Sequence, residues 1–225
     1  MSEIPVEPTR TFDITASWWL NRLTAPRLRH LGSGAVGAIF WLLFAYANIR
    51  GSIESHRVIG AGVGILGLWA AVLFLIRRPA GQVTRTPPIW VIAYFGTFGP
   101  SLLRPGGENS GWNDTLGLVF QGVGLLLGAF GYLALGRSFG LVPAHRGLVT
   151  SGIYRFVRHP LYASYVVAEI GYLIQSPRLW NVGVLLVVWT CQVFRLVSEE
   201  RLLSRDPAYR SYCERTRWRV IPAIW

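Results

Sequence analysis

Long apolar runs limit what this chain of 225 residues can fold into. The four longest lie near residues 32–49, 58–76, 115–136 and 179–198. As helices, runs of this length cross the roughly 30 Å hydrocarbon core of a bilayer. Only helices and closed barrels satisfy all their backbone hydrogen bonds inside lipid, and long continuous apolar runs are typical of helices. The sequence therefore predicts an all-α, polytopic membrane protein.

Two weaker apolar runs, near residues 88–103 and 160–175, bring the predicted number of transmembrane helices to about six. The first contains Gly99 and Pro100, and the second contains an acidic residue, Glu169. Glycine and proline interrupt helices, and a carboxylate is costly in lipid. We therefore expect these two segments to be tilted, broken or partly buried against protein.

All 22 basic residues are arginines, against 11 acidic residues, and almost all of them lie outside the apolar runs. With both termini in the cytoplasm, 17 arginines lie on the cytoplasmic side and four on the other side. This asymmetry follows the positive-inside rule and favours cytoplasmic termini. Anionic lipid headgroups account for the excess positive charge, so we predict no binding to nucleic acid. The lack of lysine is typical of a GC-rich genome, and the composition indicates a bacterial inner membrane.

The chain divides into three predicted regions. Residues 1–31 alternate tryptophans and arginines, a composition suited to an interfacial segment. Residues 32–136 hold transmembrane helices 1–4, and residues 137–225 combine polar clusters with the remaining spans. The two cysteines, Cys191 and Cys213, have no CxxC or cysteine–histidine spacing, so we predict no metal site.

Four glycines in the fourth run, Gly117, Gly124, Gly128 and Gly131, recur at intervals that place them on one helical stripe. Helices in lipid associate through close packing rather than through a hydrophobic driving force, and small residues allow their backbones to approach. We expect this face to pack against another helix.

The loop HRGLVTSGIYRFVRHPLYASY, residues 145–165, is the first polar cluster. Arg158 and His159 precede Pro160, which disfavours helix at the residue before it and suits the first turn of the helix that follows. The N-terminus of a helix binds anions through its free backbone N–H groups. The loop therefore predicts an anion-binding site, with a basic interfacial loop and capping proline as the open alternative.

The second cluster is FRLVSEERLL, which contains Arg195, Glu199 and Glu200. Ionisable residues at membrane depth pair with each other or line a polar cavity. Arg195 and Glu199 share one helical face, so an ion pair between them explains both as structure alone. Glu200 needs a different partner. Glu169 lies ten residues after His159 and is either a substrate-pocket residue or a buried partner for an arginine or the backbone.

Together these segments resemble the isoprenylcysteine carboxyl methyltransferase family of integral-membrane, S-adenosylmethionine-dependent enzymes, which is related to phospholipid methyltransferases. The resemblance rests on the loop from Leu148 to Tyr162, the helix end from Arg195 to Glu200, and the tail with Tyr209, Tyr212 and Ile221–Pro222. It covers about the last 90 residues and says little about the first 110.

The resemblance implies roles for individual residues. Arg195 is expected to contact the acceptor, and Arg195, Glu199 and His159 are the candidate catalytic residues. Glu169 is added as a candidate substrate-binding residue because it is a carboxylate inside an apolar run, not because of the resemblance. The family often has histidine where this chain has Arg146, so a one-residue shift to His145, or loss of that contact, is open. The residues expected to bind the cofactor S-adenosyl-L-methionine are Arg146, Gly147, Leu148, Val149, Tyr154, His159, Pro160, Leu161, Tyr162 and either Glu199 or Glu200.

The implied reaction moves a methyl group from S-adenosyl-L-methionine to a lipophilic small molecule or lipid-like acceptor. The protein chiefly has to align donor and acceptor and exclude water. A carboxylate acceptor needs no base, whereas a thiol or hydroxyl needs one, for which Glu199 and His159 are the candidates. The alternatives are an NADPH-dependent reductase of the sterol-reductase type and a non-enzymatic membrane scaffold.

Overall fold

The computed structural model describes residues 25–56, 58–80, 82–83, 87–105 and 111–224. Most of the predicted interfacial segment therefore lies outside the described residues. Within those ranges the chain is helical apart from short loops and one two-residue ladder. The helices are α1 Ala25–Ser55, α2 Val58–Ile76, α3 Pro87–Phe98, α4 Trp112–Leu135, α5 Pro160–Gln175, α6 Leu179–Leu203 and α7 Pro207–Arg215.

The all-α membrane fold is confirmed, but the predicted count of six spans is wrong. In the described part of the chain, four helices are long and apolar enough to cross a membrane: Leu31–Ser55, Val58–Ile76, Trp112–Ser138 and Leu179–Leu203. The two weaker runs form helices of 12 and 16 residues. At 1.5 Å per residue these reach roughly 18 and 24 Å, short of the hydrocarbon thickness.

Each short helix has a defined boundary. After Phe98, α3 gives way to a 3₁₀ turn, Gly99–Leu102, at the glycine and proline that weakened this run. At the other site α5 begins at Pro160, as predicted, with His159 as its N-cap residue in a non-helical conformation. Both helices pack against neighbours instead of spanning alone: α3 against α6, and α5 against α4.

The glycine stripe of α4 packs against α5, which confirms the predicted helix contact. A Cβ atom at Gly124 would lie 2.8 Å from the carbonyl oxygen of Ser164. At Gly131 it would lie 2.6 Å from a methyl carbon of Leu161. Because no side chain fits between these backbones, glycine is what allows the two helices to pair so closely.

Polar side chains form hydrogen bonds between the ends of α4 and α5 that lie far from the loop of residues 145–165. Gln121 Nε2 donates a 2.6 Å hydrogen bond to Gln175 Oε1, and Gln175 Nε2 donates to the backbone and side chain of Asp114. In an apolar surrounding such bonds replace the water that these amides lose. They fix the axial register of the two helices and therefore the position of the opposite end of α5.

That opposite end is covered by a compact group of loops. Strands β1 Gln82–Val83 and β2 Ala144–His145 pair antiparallel, and 3₁₀ turns occupy Gly136–Ser138 and Gly152–Arg155. The C-terminal tail crosses the start of α5, where Arg158 N donates to Trp218 O at 2.9 Å and His159 N donates to Arg219 O at 2.8 Å. The loops, the tail and the ends of α4, α5 and α6 together enclose the candidate site.

Candidate functional site

A cavity of about 80 Å³, partly open to the surface, lies beneath the loops that follow α4. We call it the polar cavity. Its walls come from the loop of residues 138–149, the first turns of α5, the last turns of α6, and α7. Ten of the residues predicted to form the site line it: Arg146, Gly147, Leu148, Val149, Tyr154, His159, Leu161, Tyr162, Arg195 and Glu199.

Three predicted site residues do not line the polar cavity. Pro160 is fully buried and begins α5, so its contribution is to the backbone path. Glu200 faces away from the cavity, into a separate cluster of charged side chains. Glu169 lies in a second cavity deeper among the helices.

The cluster around Glu200 ties four parts of the chain together. Oε1 of Glu200 lies 2.8 Å from Arg158 Nη1 and 3.2 Å from His159 Nε2, and it accepts a 3.3 Å hydrogen bond from Tyr209 OH. Oε2 accepts a 2.7 Å hydrogen bond from Arg219 Nε. Both oxygens are therefore occupied, and the carboxylate is 8% exposed. Glu200 joins α6 to the start of α5, to α7 and to the tail.

Glu199, one residue earlier, has a different environment. It is only partly buried and lines the polar cavity. Its Oε2 accepts a 3.1 Å hydrogen bond from Tyr162 OH. No ion pair neutralises Glu199 among the described residues. The structure therefore separates the two adjacent glutamates: Glu199 faces the cavity, and Glu200 holds its wall together.

Arg195 does not form the ion pair with Glu199 that its spacing allows. Its Nη1 donates a 3.0 Å hydrogen bond to Thr97 Oγ1, and Nη2 donates to Gly140 O at 3.4 Å. The guanidinium carbon lies 5.3 Å from the ring centre of Tyr162. Its Nε is buried and has no hydrogen-bond partner. Arg195 is thus a buried cation at the inner end of the polar cavity, with donor capacity left for a ligand.

Arg146, not His145, faces the polar cavity, so the chain shows no one-residue shift. His145 turns outward and its Nε2 lies 2.9 Å from Asp206 Oδ2, next to the start of α7. The guanidinium of Arg146 packs on Gly140, where any side chain would overlap it. Burial, reinforced by the neighbouring Arg77, lowers the pKa of Arg146 to about 10. Its Nε is buried without a partner, which makes an anionic ligand group favourable here.

The predicted anion site at the N-terminus of α5 is partly used by the protein itself. The backbone N–H groups of Arg158 and His159 donate to carbonyls of the tail, and the His159 ring contacts Glu200. These donors are not free for a ligand. Arg146, across the cavity, keeps a buried Nε without a hydrogen-bond partner.

Backbone conformation explains one glycine of the loop. Gly147 has φ +103°, in the region that side chains rarely adopt, and a Cβ there would lie 3.1 Å from Arg78 Nη1. Glycine lets the loop turn so that the residues before and after it, Arg146 and Leu148, both line the polar cavity.

Aromatic residues of α7 complete the cavity wall. Tyr212 OH donates a 2.6 Å hydrogen bond to the carbonyl of Tyr154, and burial raises the pKa of Tyr212 to about 12. Tyr209 is 2% exposed, and burial raises its pKa as well. The Tyr-rich tail was visible in the sequence. The contacts of Tyr209 and Arg219 with Glu200 were not visible in the sequence, because no sequence spacing predicts contacts between residues in separate elements.

A second cavity, which we call the membrane cavity, lies among α1 to α6 and has a volume of about 170 Å³. Most of its lining is apolar, and Glu169 is its acidic residue. Tyr165 lines both cavities, and Thr97 of the membrane cavity accepts the hydrogen bond from Arg195. The two cavities therefore meet at Arg195 and Tyr165. Across the described ranges no group of three metal-binding side chains occurs.

Comparison with known proteins agrees with the resemblance seen in the sequence. Residues 131–205 match the sequence model of the isoprenylcysteine carboxyl methyltransferase (ICMT) family. The chain is 31% identical over 122 residues to protein-S-isoprenylcysteine O-methyltransferase A of Arabidopsis thaliana, covering 50% of this chain and 61% of that protein. It is 28% identical over 120 residues to protein-S-isoprenylcysteine O-methyltransferase B of the same plant, covering 49% and 60%. The chain thus spans about 60% of the length of these curated relatives.

Proposed function

We propose, from the premise that residues 131–205 belong to the isoprenylcysteine carboxyl methyltransferase family, that this chain is an integral-membrane methyltransferase. Its donor is S-adenosyl-L-methionine, bound in the polar cavity. Its acceptor is a lipophilic small molecule or lipid-like molecule that reaches the site through the membrane cavity. Both relatives named above are protein-S-isoprenylcysteine O-methyltransferases. The acceptor that we propose for this chain is a broader class of molecules than the one their names give.

The observation that carries the proposal is the separation of Glu199 from Glu200. Glu200 is fully engaged by Arg158, His159, Tyr209 and Arg219, whereas Glu199 lines the polar cavity and forms no ion pair at contact distance with any described residue. A partly buried carboxylate without a counter-charge favours a ligand that brings an ammonium group. The methionine part of the donor carries such a group.

The other walls of the polar cavity fit the remaining parts of the donor. Arg146 offers a buried, unpartnered N–H for the donor's carboxylate. The side chains of Leu148, Val149 and Tyr154 line the same cavity and provide an apolar surface for adenine.

S-adenosyl-L-methionine supplies an electrophilic methyl group when bound. This chain's own residues have to orient the donor and the acceptor and to keep water out. Glu199, Arg146 and the buried tyrosines hold the donor in one orientation. Arg195, at the junction of the cavities, binds the polar end of the acceptor with the donors that Thr97 and Gly140 leave free.

The need for a base depends on the acceptor. A carboxylate acceptor is already nucleophilic, so Arg195 alone has to position it. A thiol or hydroxyl has to lose a proton, and then Glu199 is better placed than His159 because the Nε2 of His159 already contacts Glu200. For either acceptor, an Arg195 side chain beside the reacting oxygen or sulfur stabilises its negative charge.

The distribution of arginines indicates which side of the membrane the polar cavity faces. The polar cavity opens at the ends of the spans that carry Arg77, Arg78, Arg137 and Arg146. By the positive-inside rule this side is cytoplasmic, where the donor is made. We place the protein in a bacterial inner membrane with both termini in the cytoplasm.

Ligand binding tests the proposal directly. Purified protein in detergent is incubated with radiolabelled S-adenosyl-L-methionine and, in parallel, with NADPH. Saturable binding of the first and none of the second supports a methyltransferase. Binding of NADPH alone favours the membrane reductase and overturns the proposal.

A further inference from the structure

Among the residues that the structure describes, two buried carboxylates, Glu200 and Glu169, differ in how their charge is balanced. Glu200 is surrounded by Arg158, His159 and Arg219. Glu169 is equally buried, at 7% exposure, but no ion pair reaches it from any described residue. A carboxylate away from water is stable when a cation accompanies it. Basic side chains lie within ion-pair distance of Glu200, whereas none of the described ones does so for Glu169.

The contacts of Glu169 hold it in place without neutralising it. Trp189 Nε1 donates a 2.6 Å hydrogen bond to Oε2, and Gln192 Nε2 donates a 3.2 Å hydrogen bond to Oε1. Both donors are uncharged. Each oxygen accepts an N–H group, and such hydrogen bonds favour the ionised carboxylate without supplying a counter-charge.

The position of Glu169 relates it to a ligand in the membrane cavity. Glu169 lines that cavity together with mostly apolar side chains. It lies one turn beyond Tyr165 on α5, roughly 6 Å further along the helix axis. On α6, Gln192 lies one turn beyond Arg195 in the same direction. Glu169 is thus set back from the junction where the two cavities meet, at Arg195 and Tyr165.

We propose that the membrane cavity selects an acceptor that carries a basic nitrogen, whose ammonium group binds Glu169. The group that receives the methyl lies at Arg195 and Tyr165, so the nitrogen is a second polar group of the same molecule, separated by about one helical turn. A purely hydrocarbon chain would leave Glu169 without a counter-charge. This inference rests on the proposed function for the reaction, but the preference for a cation rests on Glu169 alone.

Binding of two simple amphiphiles tests this preference without knowledge of the natural acceptor. The protein is placed in nanodiscs of uncharged phosphatidylcholine, and binding of radiolabelled dodecylamine is measured with empty nanodiscs as blank. Competition by 1-dodecanol, which has the same chain and no charge, gives the preference. A charge-assisted hydrogen bond predicts about ten- to a hundredfold tighter binding of the amine by the native protein.

Two variants separate the charge of Glu169 from its structural contacts. Glu169→Gln keeps the size of the side chain and should abolish the preference for dodecylamine. Trp189→Phe removes one hydrogen bond to Glu169 but keeps the carboxylate, and should retain the preference. A native protein that binds both amphiphiles equally, or a Glu169→Gln variant that still prefers the amine, overturns the proposal. The native comparison decides the question even if Glu169→Gln fails to fold.

Donor binding on the same samples keeps this inference distinct from the proposed function. S-adenosyl-L-methionine should bind native protein and Glu169→Gln with equal affinity, because Glu169 does not line the polar cavity. If the amine is preferred but S-adenosyl-L-methionine does not bind, the methyltransferase function fails and the cation site stands. If S-adenosyl-L-methionine binds and the amine is not preferred, the opposite conclusion follows.

Discussion

At the scale of single residues, Glu199 and Glu200 are identical side chains at adjacent positions of α6, and they have different environments. Neighbouring helical residues point about 100° apart. One therefore faces the polar cavity and the other faces the tail and the start of α5. The same substitution, glutamate to glutamine, is therefore expected to affect donor binding at Glu199 and stability at Glu200.

Glu199→Gln should weaken binding of S-adenosyl-L-methionine by about ten- to a hundredfold, because it removes a charge-assisted hydrogen bond worth about 1.5–3 kcal/mol. Its thermal stability should stay near that of the native protein, since only the hydrogen bond from Tyr162 depends on this carboxylate. Titration calorimetry and a thermal melt measure the two quantities. Unchanged affinity would remove Glu199 from the donor site.

Glu200→Gln is the matched comparison and should behave in the opposite way. It leaves Arg158 and Arg219 together without their shared carboxylate, which should lower the free energy of unfolding by about 3 kcal/mol. Any loss of donor binding should be proportional to the loss of folded protein. A stable Glu200→Gln variant with strongly weakened donor binding would contradict the assignment.

Arg195→Lys tests whether the arginine contacts the acceptor. Lysine keeps the charge but lacks the planar fork that binds Thr97, Gly140 and a ligand together. We expect a higher KM for the acceptor, or slower turnover, with donor affinity near the native value. Thr97→Val, which leaves the guanidinium intact, serves as the control and should change the kinetics less. If Arg195→Lys has the same kinetics as the native protein, Arg195 has a structural role and does not contact the acceptor.

The sequence predicted which residues would gather at the site better than it predicted their partners. Ten of the expected residues line one cavity because the loop motif and the end of α6 are short, local patterns. The choice between Glu199 and Glu200 could not be made, since it depends on Arg219 and Tyr209 folding back over the loop. The ion pair of Arg195 with Glu199, which was the purely structural alternative, does not form, because Thr97 of α3 and Gly140 accept the hydrogen bonds of the arginine instead.

At the scale of helices, hydropathy identified the four spans, and the glycine, proline and glutamate of the two weaker runs predicted interrupted or protein-packed segments, but not that these helices would be too short to span. Transmembrane length depends on where a helix starts and ends as well as on its composition. In α3 the helix stops before Pro100, and in α5 it starts only at Pro160. Both prolines were visible in the sequence. Their effect on length was not, because prolines also occur inside membrane helices where neighbours satisfy the freed backbone groups.

The close pairing of α4 and α5 predicts a strong difference between two glycines of one helix. Gly124→Ala would place a Cβ 2.7 Å from the Cβ of Ala168 and should lower the free energy of unfolding by about 1–3 kcal/mol. Gly122→Ala, two residues earlier, meets nothing within 4 Å and should be neutral or slightly stabilising. Denaturation of both variants in detergent decides. Equal stabilities would argue against this helix contact.

At the scale of the whole molecule, the two cavities lie one behind the other along the helices. The polar cavity opens beside the arginine-rich loops, and the membrane cavity lies among the spans. They meet at Arg195 and Tyr165. This arrangement suits a reaction in which a water-soluble donor and a lipophilic acceptor approach from different phases.

The arrangement also requires the loops to face the compartment that contains the donor. The C-terminal ends of α2 and α4 lie together, where Arg78 N donates to Arg137 O, so α3 returns the chain between them although it is too short to span the bilayer alone. Counted with this return and that of α5, 17 of the 22 arginines fall on the side of the termini and the site loops, so we predict that both termini are cytoplasmic. Reporter fusions after Trp225 and after His56 measure the two sides of the membrane. A cytoplasmic signal at His56 with an external signal at Trp225 would reverse the orientation and separate the polar cavity from its donor.

Transfer of a labelled methyl group tests the central proposal most directly. Membranes containing the native protein or Glu199→Gln are incubated with S-adenosyl-L-methionine whose methyl group carries ¹³C, and the lipid extract is analysed by mass spectrometry. The account predicts a lipophilic product that carries one labelled methyl with the native protein and is greatly reduced with Glu199→Gln. No labelled product with folded native protein that binds the donor, or equal product with both proteins, would contradict it.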